Sequence, residues 1–144
     1  MGPAITERRI AGLLGFLFLF DVVLTVWAGF FPQLWMDAFH GVPYDDPQQL
    51  LRRCAANWAA FALFQGIAFT RWRRQPEWLA VIAGVRLSDI FTDLTVSALA
   101  RDTTLFAKLT LAPMSVVNLL MGLWLLRAYR SRSGNATPNS ANDR

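Results

Sequence analysis

Residues 109–126 carry no charged side chain over 18 positions, and residues 54–70 carry none over 17. Few folds admit such stretches. A helix in a soluble bundle keeps a polar stripe recurring every 3.6 residues, whereas GLLGFLFLF at residues 12–20 and the stretch 59–69 are apolar on nearly every side. Two more blocks belong to the same set. Residues 10–31 hold one charge, Asp21, and residues 78–100 hold Arg86, Asp89 and Asp93. At 1.5 Å per residue the first block gives about 33 Å of helix, enough for a hydrocarbon core of roughly 30 Å.

The expected fold is therefore all-α, an integral membrane four-helix bundle. Its single domain takes in residues 1–130, with spans near 10–31, 51–70, 78–100 and 104–126. Residues 131–144, SRSGNATPNSANDR, are polar without apolar period and are expected to form a disordered cytoplasmic tail. The triplet Asn135-Ala136-Thr137 has the form of a glycosylation site, but on that side of the membrane it would not be modified. Glu7, Arg8 and Arg9 ahead of the first block, with Val26-Trp27-Ala28 inside it, formally fit a signal peptide. The block is longer than the usual apolar region of about 7 to 15 residues and contains a carboxylate, so it is read as a retained helix.

Orientation follows from Lys and Arg in the joints. One side collects Arg8, Arg9, Arg71, Arg73, Arg74, Arg127, Arg130, Arg132 and Arg144, and the other Arg52, Arg53, Arg101 and Lys108. The positive-inside rule places both termini in the cytoplasm, in a multi-pass inner-membrane protein. The joint between the first two spans is the longest, and residues 32–39 within it suit a short interfacial helix. Trp27 and Trp35 on the outer side, and Trp72, Trp78 and Trp124 on the inner side, are expected in the interfacial belts.

Composition excludes much else. Apolar residues make up 54% of the chain and charged ones 17%, against about 45–50% and 25% for a soluble domain. One cysteine, Cys54, permits no intrachain disulfide and is expected to be a small buried hydrophobe. One histidine cannot supply a His-rich metal or haem site, and no G-x-S-x-G, Walker or G-x-G-x-x-G signature is present. No cofactor, metal or catalytic residue is assigned. The basic residues are scattered rather than gathered with aromatics in a groove, which argues against nucleic acid. His40, with Asp37, Asp45 and Asp46 nearby in sequence, suits either an outer acid–base cluster or a solvated loop.

The ionisable groups inside the spans demand an explanation, because each costs about 2.5 to 3.5 kcal/mol at the bilayer centre on insertion scales. Arg86, Asp89, Asp93 and Ser97 fall within a sector of roughly 80° on one helix, so that side must face protein. Taking each span's midpoint as the bilayer centre, Asp21 and Asp89 lie at mid-depth, Asp93 and Asn57 in a layer outside them, and Arg86, Gln65 and Asn118 in a layer inside. Three carboxyls against one guanidinium leave two negative charges without a counter-ion, and the cluster therefore calls for protons or a bound cation. The ligand- or ion-binding set read from the sequence is Asp21, Asn57, Gln65, Arg86, Asp89, Asp93 and Asn118. The same groups also suit plain helix-to-helix hydrogen bonding, worth about 0.6 kcal/mol per contact in membranes.

In size and span count the chain resembles small four-helix membrane families, among them DoxX-like proteins and the EXPERA group that includes the emopamil-binding sterol isomerases. In EXPERA proteins carboxylates line a pocket between the helices, and the resemblance implies that part for Asp21, Asp89 and Asp93. Three functions follow as expectations. The leading one is a non-enzymatic module that binds or conducts a small cation, proton or amphipathic ligand at the carboxylate cluster. The second is an accessory or assembly subunit, docked through the small-residue stripe Ala55, Ala59, Ala62 and Gly66. The third is a lipid- or isoprenoid-modifying enzyme using buried carboxyls as acid and base. The expected partners are the lipid bilayer and either further copies of the chain or a larger membrane complex.

Overall fold

The computed structural model describes residues 3–100 and 102–133. These form five helices, α1 (Pro3–Phe30), α2 (Pro32–Phe39), α3 (Leu50–Arg71), α4 (Glu77–Leu99) and α5 (Leu105–Ser133), with no strand among the described residues. The four apolar blocks each become one long helix, and α2 occupies the joint where a short helix is expected. Pro32 supplies its first turn, a position where the missing N–H costs nothing and the fixed φ is already helical.

Two of the helices are long and apolar enough to cross a membrane, α1 from Glu7 to Phe30 and α5 from Leu105 to Ser133, and in each only 22% of the most apolar stretch is buried inside the protein. A helix at the core of a soluble protein would be mostly covered. The exposed large side chains, such as Phe16, Leu19, Phe91, Leu109 and Leu120, instead wrap the long helices in an apolar coat. α3 and α4 are less apolar for a local reason. Asn57 and Gln65 interrupt α3, and Arg86, Asp89 and Asp93 interrupt α4.

The helices pack as two tight antiparallel pairs, α1 with α3 and α4 with α5, joined by fewer contacts between α3 and α4. Small residues set the spacing within each pair. A side chain at Gly29 would stand 3.6 Å from the Ala55 Cβ, and one at Gly122 only 2.9 Å from Leu87. Ala55, Ala62 and Gly66 of the small-residue stripe turn toward α1, whereas Ala59 is exposed.

The two pairs meet firmly at one end only. There Ile10, Leu14, Leu17, Ala68, Trp72, Leu79, Ile82, Ala83 and Leu125 form a buried core contributed by all four long helices. Trp72 corrects its assignment to an interfacial belt. It is fully buried, with the guanidinium carbons of Arg132 and Arg73 at 4.5 and 4.8 Å from its ring centroid. Glu7 bridges the same two arginines, at 2.9 Å to Arg132 and 3.7 Å to Arg73. Those contacts hold α5 helical through Ser133, so residues 131–133, expected to open the disordered tail, belong to a helix instead. Residues 134–144, with the glycosylation triplet, and Arg101 lie outside the described residues.

At the opposite end α2 lies across the helix ends. Thr104 fastens it there. Its hydroxyl donates to the carbonyl of Ala38 and accepts from the N–H of Ala107, capping α5, while its own N–H donates to the Phe39 carbonyl at 3.0 Å. Gly41 follows α2 with φ of +66°, a left-handed turn that glycine adopts without steric cost. Asp46 then starts α3 by accepting the N–H groups of Leu50 at 2.9 Å and Leu51 at 2.8 Å, and these bonds hold its carboxyl below the ordinary carboxylate range.

Candidate functional site

Between the two helix pairs, on the α2 side of the closed core, is a cavity of 310 Å³. Its floor is polar. Asp21 of α1, Arg86, Asp89 and Asp93 of α4 and Asn118 of α5 all line it, and Asp21, Arg86 and Asn118 are each at most 3% exposed. Its upper wall is aromatic, formed by Trp35, Phe39 and Trp58, and Phe20 lines it beside Asp21. From Arg86 to Val96 it runs ten residues of α4, a depth of about 15 Å.

The floor contains two separate hydrogen-bonded groups. In the first, Arg86 Nη2 donates to Asp21 Oδ2 at 2.9 Å and contacts Asp89 Oδ2 at 3.1 Å, so one nitrogen serves two carboxylates. Gln65 Nε2 donates to the same Asp21 oxygen at 2.6 Å, which ties α3 into the cluster from behind the cavity wall. In the second, Asn118 Nδ2 donates to Asp93 Oδ2 at 3.2 Å. No Lys or Arg stands within 4 Å of Asp93 among the described residues. Three buried polar atoms here lack a partner: Gln65 Oε1, Arg86 Nε and Asn118 Oδ1. An unpaired buried polar group costs about 1 to 3 kcal/mol, so these atoms mark where the protein by itself leaves its floor unfinished.

Six of the seven residues singled out in the sequence meet in this network: Asp21, Gln65, Arg86, Asp89, Asp93 and Asn118. Asn57 does not join them. It lies eight residues before Gln65 on α3, which turns it about 80° away from the inward direction, and it is exposed. The depth layers also need correction, because Asn118, expected level with Arg86, bonds Asp93 instead. Helical side chains lean toward their own N-terminus, and in the antiparallel pair α4/α5 that brings the side chains of Asp93 and Asn118 toward each other. Ser97, placed on the inward sector, is exposed at the far end of α4.

The aromatic wall is what sequence reasoning missed. Trp35, expected in an interfacial belt, stacks on Phe39 with ring centroids 4.4 Å apart and meets Trp58 at 5.1 Å, closing the roof. The signal available was the amphipathic spacing of Trp35 and Phe39, four residues apart on a short helix with Pro at its start. Cys54, expected to be buried, is exposed and lines the mouth. His40 forms no acid–base cluster with its sequence neighbours. Its Nδ1–H donates to the Asp102 carbonyl at 2.8 Å, while Asp37 accepts from Gln33 at 2.6 Å and Asp46 caps α3. Among the described residues no group of three His, Cys, Asp or Glu side chains is arranged to hold a metal ion.

Compared with known protein families, curated proteins and solved structures, the chain matches none. The assignment therefore rests on the cavity alone.

Proposed function

We propose that the chain is a four-span membrane protein that binds an amphipathic small molecule between its two helix pairs, the polar head on the carboxylate floor and the apolar body against the aromatic wall. The cavity carries this reading: a space of 310 Å³, at the lower end of the range for small-molecule sites, with the buried Asp21 and Arg86 at its inner end and Trp35, Phe39 and Trp58 at its outer end. Asp93 and Asn118 bond each other and also line that space, with the Asn118 amide oxygen left without a donor.

The pairing supports the four-span reading. α3 lies antiparallel along α1, and α4 along α5, so a membrane crossed by α1 and α5 contains their partners. α3 and α4, with 22 and 23 residues, are about 33 to 35 Å long and match the hydrocarbon core. Arg86, Asp89 and Asp93 of α4 line the cavity between the helix pairs, and Phe91, Leu94 and Leu99 are exposed. The arginine excess at the closed end supports a cytoplasmic location for that end, with both termini, at an inner membrane.

A series of 4-phenylbutyl amphiphiles bearing an amine, an alcohol or a carboxylate tests the binding reading by calorimetry on the protein purified in mild detergent. Saturable binding of at least one member is expected, lost on Val96→Phe, which fills the outer end of the cavity where the aryl body would lie. If no member binds saturably, or Val96→Phe binds like wild type, the reading fails.

A second reading, docking on a membrane partner, has one observation in its favour. An open apolar groove lined by Gly12, Gly15, Phe16, Phe18, Gly66 and Phe69 runs along the outside of α1 and α3.

A further inference from the structure

We infer that the head group accepted by the floor is a cation bearing N–H donors, a primary or secondary ammonium, and that Asp93 and Asn118 are the residues that select it. The inference rests on the binding reading above and deepens it.

Arg86 is already committed. Its Nη2 lies between Asp21 and Asp89, so the guanidinium charge is already shared by two carboxylates. Counted as formal charges, three carboxylates and one guanidinium leave the floor two charges negative. An anionic head would meet that excess.

Asp93 and Asn118 present the opposite character. Asp93 bonds only Asn118, with no cation within 4 Å among the described residues, and Asn118 spends its amide N–H₂ on Asp93. That leaves Asn118 Oδ1 without a donor although the residue is only 3% exposed. The Asp93 carboxylate and the Asn118 amide oxygen belong to two bonded residues that both line the cavity, and together they are short of donors. A primary ammonium satisfies both and supplies the charge. A quaternary ammonium supplies the charge without the donors, and an alcohol supplies one donor without the charge. Hydrogen bonds to charged groups contribute about 1.5 to 3 kcal/mol, which separates these heads by about tenfold or more in affinity.

The experiment is calorimetry of wild-type protein in mild detergent with 4-phenylbutylamine, its N,N,N-trimethyl derivative, 4-phenylbutanol and 4-phenylbutyrate. The amine is expected to bind about tenfold or more tighter than each of the other three. Asp93→Asn should bring the amine down to the affinity of the alcohol. Equal affinities across the series, or a preference for the trimethyl compound, would overturn the N–H cation assignment and leave the binding reading standing. Tightest binding by phenylbutyrate would overturn it in favour of Arg86 as an anion reader. Absence of saturable binding by all four would overturn both. Because the comparison of ligands is made on the unaltered chain, it decides the matter even if Asp93→Asn fails to fold.

Discussion

A single nitrogen of Arg86 faces two carboxylates, one on its own helix and one on α1. Asp89 at i+3 is a local partner that any helix provides, whereas Asp21 is reached across the space between the two helix pairs, so the guanidinium joins the pairs as well as neutralising α4. Removing one member of a buried ion pair leaves the other charged and unpaired, at a cost of about 3 kcal/mol or more. Arg86→Gln is accordingly expected to lower the thermal unfolding midpoint in detergent sharply, and adding Asp21→Asn to recover part of the loss. A midpoint unchanged by Arg86→Gln would mean that Asp21 does not depend on the guanidinium. Trp72 illustrates the opposite use of arginine. Here Arg73 and Arg132 lie over its ring, and a side chain with the composition of a belt residue becomes the largest buried group of the core.

Helix spacing depends on where small residues fall. α4 and α5 touch closely because Gly122 leaves room for Leu87, and a methyl group there would lie 2.9 Å from two Leu87 carbons and 3.4 Å from the Ala83 carbonyl. Gly122→Ala is expected to push the pair apart and cost about 1 to 3 kcal/mol, the usual penalty for overpacking. Gly84→Ala on the facing helix meets nothing within 4 Å and should cost nothing. Equal unfolding midpoints for the two variants would refute this account of the α4/α5 contact. α2 depends less on packing than on its ties. The Thr104 bonds to Ala38 and Phe39 hold it over the mouth of the cavity, so its residues Trp35 and Phe39 become the roof.

At the scale of the whole molecule the two helix pairs are closed by the core around Trp72 and separated by the cavity toward α2, which makes the protein a cup with its mouth on the side away from the termini. In a four-span topology the α3–α4 joint and the α1–α3 joint lie on opposite sides of the membrane. With Cys54 replaced by Ser, Gln48→Cys is expected to react with an impermeant maleimide in intact cells, and Gln75→Cys only after permeabilisation. Labelling of both from outside would rule that topology out. The long apolar helices, the short helix at Pro32 and the need for a protein-facing side on α4 were legible in the chain, because each depends on residues within a few turns of one another. Charge inside apolar blocks also singled out Asp21, Arg86, Asp89 and Asp93, since burying such groups is costly whatever their neighbours. Rotation about each helix axis and the meeting of side chains between helices were not legible there. Those decided that Asn57 faces outward, that Asn118 pairs with Asp93 rather than sitting level with Arg86, and that Trp35 walls a cavity. A helix pattern fixes which residues share a face, but only packing against another helix selects the face that turns inward, and that selection belongs to the tertiary structure.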